Sequence, residues 1–167
     1  MDFINQVVEH VRYVFGDKAA DAFVDYLAHL IQFPQVRPKF TPLSLAAEHG
    51  IGRGFIVELV QGLIGKHNCA STTMAVLANE SGNKKDNYLD RTLFCAIHEV
   101  KQSDKRYEIN DKIRDKLTES TLQVDIKYGA NDYAAVYTRI LMMSNHVTNA
   151  LVIPALPAME SEARAGS

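Results

Sequence analysis

Between Pro42 and Gly65 the chain reads PLSLAAEHGIGRGFIVELVQGLIG, an apolar run that enters a glycine-rich turn and leaves as an amphipathic helix. The order is that of a phosphate-binding loop, in which consecutive backbone N–H groups and a helix N-terminus converge on an anion. Glycine is needed there wherever the backbone approaches the ligand closely or takes positive φ. Against the consensus G-x-x-x-x-G-K-[ST], the chain offers Ala47-Glu48-His49-Gly50-Ile51-Gly52-Arg53-Gly54. Gly52 stands in register, Arg53 takes the lysine position, and Gly54 takes the position of the hydroxyl that would hold magnesium.

A length of 167 residues suits one domain with a buried core that needs no metal or disulfide staple. Cys69 and Cys95 have no metal-ligand spacing, and Cys95 lies in an apolar run, so buried free thiols in a reducing compartment are expected. No signal sequence opens the chain, and no apolar run approaches the ~20 residues that span a bilayer. A cytoplasmic protein without a membrane partner is therefore expected. A net charge of −2 gives no global attraction to nucleic acid, so any DNA contact would have to come from a local basic patch.

Three regions are expected: an N-terminal helical segment over 1–37, an α/β domain over 38–154, and a disordered tail over 155–167. From Asp2 to Phe15, apolar residues recur every three or four positions (Phe3, Ile4, Val7, Val8, Val11, Val14, Phe15) and mark one helix face. A second helix is expected from about Lys18 to Gln32, with Phe23, Tyr26, Leu27, Leu30 and Ile31 inward. Pro34 and Pro38 bracket an extended connection. Leu43 to Ala46 reads as a short buried strand. The helix after the glycine turn carries Phe55, Ile56, Leu59, Val60 and Leu63 inward and stops at Gly65.

Further on, Asn68 to Thr73 is small and polar and reads as a connection, with Met74 to Leu77 a weak strand. Asn79 to Asn87 and Lys101 to Glu108 read as loops, and Ile109 to Glu119 as a short charged helix. Arg91 to Ile97 is an apolar strand ending in His98-Glu99-Val100, of the kind buried at the centre of parallel sheets. Thr121 to Tyr128 alternates, turns through Gly129 to Asp132 and continues into Ala135 to Met143, which predicts a hairpin. Strands alternating with helices give an α/β sheet.

Three segments could carry chemistry: the glycine loop, the strand ending at Glu99, and Ile140 to His146, a strand ending in the amide of Asn145. A carboxylate at a strand end beside a nucleotide can hold magnesium or orient a water, and a nearby amide can reach the γ-phosphate. His49, His98 and His146 come from separate segments without paired spacing, so no metal site is expected from them.

These segments, taken in order, resemble a known family. Gln32-Phe33-Pro34 through Gly65, FCAIHEV (Phe94 to Val100), KYGANDY (Lys127 to Tyr133) and RILMMSNHVTNALVIP (Arg139 to Pro154) are similar to the superfamily 3 helicase domain of phage and prophage primase-helicases, over roughly residues 20 to 154. The resemblance implies an AAA+-like P-loop ATPase fold, ATP with Mg2+ as cofactors, and a homo-oligomeric ring that translocates on single-stranded DNA. By position it implies nucleotide binding by Gly50, Ile51, Gly52, Arg53 and Gly54. Glu99 becomes the acidic Walker B residue, Asn145 the sensor asparagine, and Lys127 the DNA contact of a pore hairpin spanning Thr121 to Thr138.

The chain departs from that pattern at four places. Arginine is a planar fork where the family has the compact charge of lysine. Gly54 has no hydroxyl, and His98 stands where a second carboxylate is common. Where the family carries its arginine finger, a group contributing ~10³ to 10⁵ in rate, this chain reads Ala155-Leu156-Pro157-Ala158. Two functions therefore stay open: an ATP-dependent DNA helicase domain, or a catalytically inactive, truncated interaction module. The missing segment also predicts a monomer or weak oligomer for the chain alone. A small DNA-binding regulator is disfavoured because Asp2 to Gln32 presents no basic recognition face.

Overall fold

The computed structural model describes residues 2–48, 50–78, 89, 91–99, 117, 120–124 and 132–145. Its elements run α1 (Phe3–Phe15), α2 (Asp17–Gln32), β1 (Leu43–Leu45), α3 (Arg53–Ile64), a 3₁₀ turn (Lys66–Asn68), β2 (Cys69–Thr73), α4 (Met74–Ala78), β3 (Phe94–His98), β4 (Thr121–Val124), β5 (Asp132–Ala135) and β6 (Arg139–Ser144). The protein is α/β. β1, β6, β3 and β2 lie side by side in that order, all parallel, and β4 and β5 form a separate antiparallel pair.

The two central strands show why the sheet forms. β3 and β6 are almost continuously apolar and buried, as strands covered on both faces must be. Alternation then sorts their side chains. Phe94, Ala96, Leu141 and Met143 face the layer built by α1, α2 and α3, while Cys95, Ile97, Ile140 and Met142 face Met74, Leu77, Leu89 and Val136. Each such large side chain, once fully buried, contributes about 1.5–3 kcal/mol. The first layer also contains Val11, Val14, Phe23, Leu30, Ile56 and Val60, so the N-terminal helices share one core with the sheet.

Gly16 takes φ +78° between α1 and α2, which lets the chain reverse with a single linking residue. Phe15 and Phe23 stack at 4.0 Å across that corner. Tyr26 donates its hydroxyl hydrogen to the Ile140 carbonyl at 3.0 Å, and burial drives its phenol well above the ordinary range.

Several expectations need correction. The segment Cys69–Thr73 is an edge strand, and Met74–Ala78 is a helical turn, the reverse of the sequence reading. An edge strand needs less apolar surface, so a run of Cys, Ala, Ser and Thr suffices once β3 supplies the partner. The second arm of the hairpin ends at Ala135. Beyond it the chain leaves the pair and enters the main sheet as β6, whose partners are β1 and β3.

The helical stripes are also narrower than their periodicity suggests. Phe3, Ile4 and Ile31 are exposed, as are Phe55 and Leu63, and Val57 takes an inward position on α3. On β1, Ser44 is buried while Leu45 is exposed. The expected helix over 109–119, the loops over 79–87 and 101–108, the hairpin turn and the tail from 155 onward lie outside the described residues, apart from Leu117. That residue is helical and packs on the second core layer.

Candidate functional site

All four strands of the sheet are parallel, so their C-terminal ends share one edge. The loop after β1, the residue after β3 and the residue after β6 must emerge together there. Open α/β sheets bind ligands at that edge. In this protein it holds a cleft of about 590 Å³ lined by Gly50 to Phe55, Glu58, His98, Glu99 and Met143 to Asn145. The volume is within the usual range for a small-molecule site.

The loop is shaped by its glycines. Gly50 has φ +77° and Gly52 has φ +86°, both in the left-handed region that side chains disfavour. Gly52 is also the N-cap of α3, and no side chain caps that helix. The first N–H groups of a helix have no intrahelical acceptor, and they carry the positive end of its dipole. Here they open on the cleft. At Gly52 a Cβ would collide with the ring of His10, whose Nε2 lies 3.1 Å from the Gly52 carbonyl oxygen. That ring meets Phe55 edge-on, with centroids 5.1 Å apart and planes at 87°. A residue of α1 thus supports the loop from behind.

Arg53, the first residue of α3, reaches across to the end of β6. It donates one N–H to the Ser144 carbonyl at 2.7 Å and another to Oδ1 of Asn145. The Ser144 carbonyl also accepts the Ala46 N–H at 3.1 Å, which ties the exit of β1 to the same point. Partial burial lowers the guanidinium pKa without threatening its charge. Glu99 follows β3 with φ +54°, an unusual conformation for a residue with a side chain, and strain of this kind concentrates at functional sites. Beside it, His98 is half-buried. Burial lowers its pKa most, Glu99 opposes that by raising it, and Arg53 lowers it again, with a net downward shift that favours the neutral ring.

Of the residues singled out from sequence, Gly50, Ile51, Gly52, Arg53, Gly54, Glu99 and Asn145 therefore line one cleft. His98 lies there too, whereas Lys127, His49 and His146 are outside the described residues. Sequence reasoning missed His10, Phe55 and Glu58. For His10 one faint signal existed, since it flanks the Val7, Val11, Val14 stripe of α1. A contact spanning 42 positions leaves no periodic trace.

The family model described as a family of unknown function (DUF5906) matches residues 45–160, more than half of the chain. The chain belongs to that family. The matched segment of this DUF5906 protein runs from the end of β1 past the end of β6, and so includes every cleft residue named above. No curated protein matches the chain.

Among solved structures it is similar to the apo structure of the NrS-1 C terminal region, with a TM-score of 0.71 and 20% identity over 84% of this chain and 34% of that one. Two A-form apo structures of the same region give TM-scores of 0.64 and 0.66 at 21% and 19% identity. They cover 84% and 83% of this chain and 32% and 33% of theirs. Identities this low establish a shared fold. The chain spans about a third of the length of the structures it matches. Among the described residues, no helix is long and apolar enough to cross a membrane.

Proposed function

We propose that this chain is a nucleotide-binding, ATPase-type module of a phage or prophage replication helicase or primase, with the cleft at the C-terminal edge of the sheet as its phosphate site. The observation that carries the reading is the convergence of three separate segments, Gly50–Gly54, Glu99 and Asn145, on one cleft. The NrS-1 likeness supports the fold, and the ordered superfamily 3 motifs support the assignment to replication.

The residues present suit a polyphosphate. A helix N-terminus without a side-chain cap, two left-handed glycines and a guanidinium supply donors and positive charge. In this reading the N–H groups at the start of α3 hold phosphate oxygens and Arg53 pairs with the terminal phosphate. Glu99 accepts a proton from, or orients, the attacking water, and Asn145 fixes both that water and Arg53. For magnesium the fit is narrower. Glu99 is a hard oxygen donor at the strand end, and a nucleotide-bound magnesium commonly takes one or two carboxylates, so Glu99 would hold it where Gly54 offers no hydroxyl. When bound with a triphosphate, the ion neutralises charge on the transferring phosphoryl group. In a longer protein the module would work within a homo-oligomeric ring on single-stranded DNA, with Lys127 as a DNA contact.

A second reading, a non-catalytic interaction module that still binds nucleotide, is favoured by Arg53 itself. Its guanidinium bridges to Ser144 and Asn145, a role that secures the loop rather than the reaction.

Equilibrium titration of a fluorescent ATP analogue, with and without magnesium, tests the proposal. Wild type should bind, and Arg53→Ala should bind at least tenfold more weakly, as expected for loss of a charged hydrogen bond of about 1.5–3 kcal/mol. Absence of binding at millimolar analogue would overturn it. Turnover on single-stranded DNA that Glu99→Gln abolishes would select the helicase reading; binding without turnover would select the module.

A further inference from the structure

We infer that His10, on the N-terminal helix and outside the motif-bearing segments, is a positioning residue for the glycine loop; the inference rests on the phosphate-site reading above. Three observations meet at this side chain. Its Nε2 is 3.1 Å from the Gly52 carbonyl oxygen, and because a carbonyl only accepts, that nitrogen carries the hydrogen. The ring fills the space where a Cβ at Gly52 would lie. It also packs edge-on against Phe55, one turn into the helix whose N-terminus faces the cleft.

The consequence follows from backbone geometry. A left-handed Gly52 is entropically costly, because glycine has more conformational freedom to lose than any other residue. Something must hold the peptide between Gly52 and Arg53 in the one orientation that turns its carbonyl away from the cleft and its N–H toward it. His10 grips that carbonyl from behind. It needs no contact with a ligand to act, because a loop that samples other orientations pays the ordering cost each time an anion binds. The N-terminal helices thereby become part of the site: Val11 and Val14 dock α1 on the core, and the docked helix presents His10 to the loop.

The test compares wild type with His10→Ala, His10→Phe and His10→Gln in two measurements. Amide hydrogen exchange over residues 50–55 without ligand reports loop order directly, whatever the cleft binds. Titration with the fluorescent ATP analogue reports the consequence. His10→Ala should speed exchange in the loop but not in β3 or β6, and weaken analogue binding roughly five- to tenfold. His10→Phe, which keeps the ring but not the donor, should behave like the alanine variant. His10→Gln, whose amide N–H can reach the same carbonyl, should restore most of both.

Unchanged loop exchange in His10→Ala would overturn the inference. So would equal loosening in His10→Gln and His10→Ala, which would point to packing alone. If wild type fails to bind the analogue, the phosphate-site reading falls, and the exchange data still decide whether His10 orders the loop.

Discussion

Arg139 opens β6 and Arg53 reaches the carbonyl at its last residue, so both ends of one central strand are met by a guanidinium, in opposite ways. Arg139 is 1% exposed. It donates to the carbonyls of His29, Phe33 and Val36 at 3.0, 2.8 and 2.8 Å and contacts Nδ1 of His29 at 2.7 Å. No carboxylate is among these partners. The charge is carried by carbonyl ends at and just beyond the C-terminus of α2, where the helix dipole favours a cation. Arg53 makes fewer contacts, at the wall of an open cleft, and sits at the other kind of helix end. There the dipole repels it and would welcome an anion. A cation bound to carbonyls at a helix C-terminus is structural, while a cation held at a helix N-terminus leaves room for a negative ligand between them.

The sharpest way to break this comparison is Arg139→Ala. Removing the fork takes away the charge-assisted hydrogen bonds to the His29, Phe33 and Val36 carbonyls, each worth about 1.5–3 kcal/mol, so a loss of at least about 3 kcal/mol is expected from urea unfolding. Arg139→Lys should recover only part of it, because one ammonium cannot serve the carbonyls of both α2 and the Pro34–Val36 connection. Arg53→Ala should cost about 1 kcal/mol at most in the same experiment, its main effect being on ligand affinity. Comparable stability losses at the two positions would erase the distinction.

Next in size is Gly52→Ala, expected to destabilise by about 2 kcal/mol through its left-handed φ and the collision with His10. The double variant Gly52→Ala, His10→Ala should relieve the collision and leave the backbone cost. A double-mutant cycle therefore yields a coupling of at least about 0.5 kcal/mol, and strict additivity would contradict the contact.

The smallest effect concerns pH. His98 is held below histidine's ordinary value of about 6.5 chiefly by burial, with Arg53 adding to the shift and Glu99 opposing it. A folded pKa below the unfolded one means the unfolded chain protonates first as pH falls. The contribution of His98 is therefore complete above the unfolded value and is lost as pH drops from there through the folded value. NMR titration of the His98 ring should show a further fall in Glu99→Gln and a rise in Arg53→Ala. The opposite order would mean the cleft charges are arranged differently.

Much of this site was legible from the chain. The glycine loop, Glu99 and Asn145 each sit beside an apolar strand, and strand ends are visible because the apolar run stops. Parallel packing then requires those ends to share an edge. Less legible was β2, because Cys69–Thr73 lacks the apolar density that marks β3, and its strand character comes from pairing with a neighbour. Arg139 reads locally as the polar start of an apolar run, and only folding shows that it closes the end of α2 from more than 100 positions away.

The sequence by itself determined the α/β class, the buried central strand β3 and the strand–glycine–helix unit, since each rests on local periodicity or on the backbone freedom of a particular residue. Tertiary structure alone decided the strand order, the capture of Arg53 by Ser144 and Asn145, and the support of Gly52 by His10. Those contacts join residues 42 or more positions apart, and their geometry is set by how the helices and strands pack.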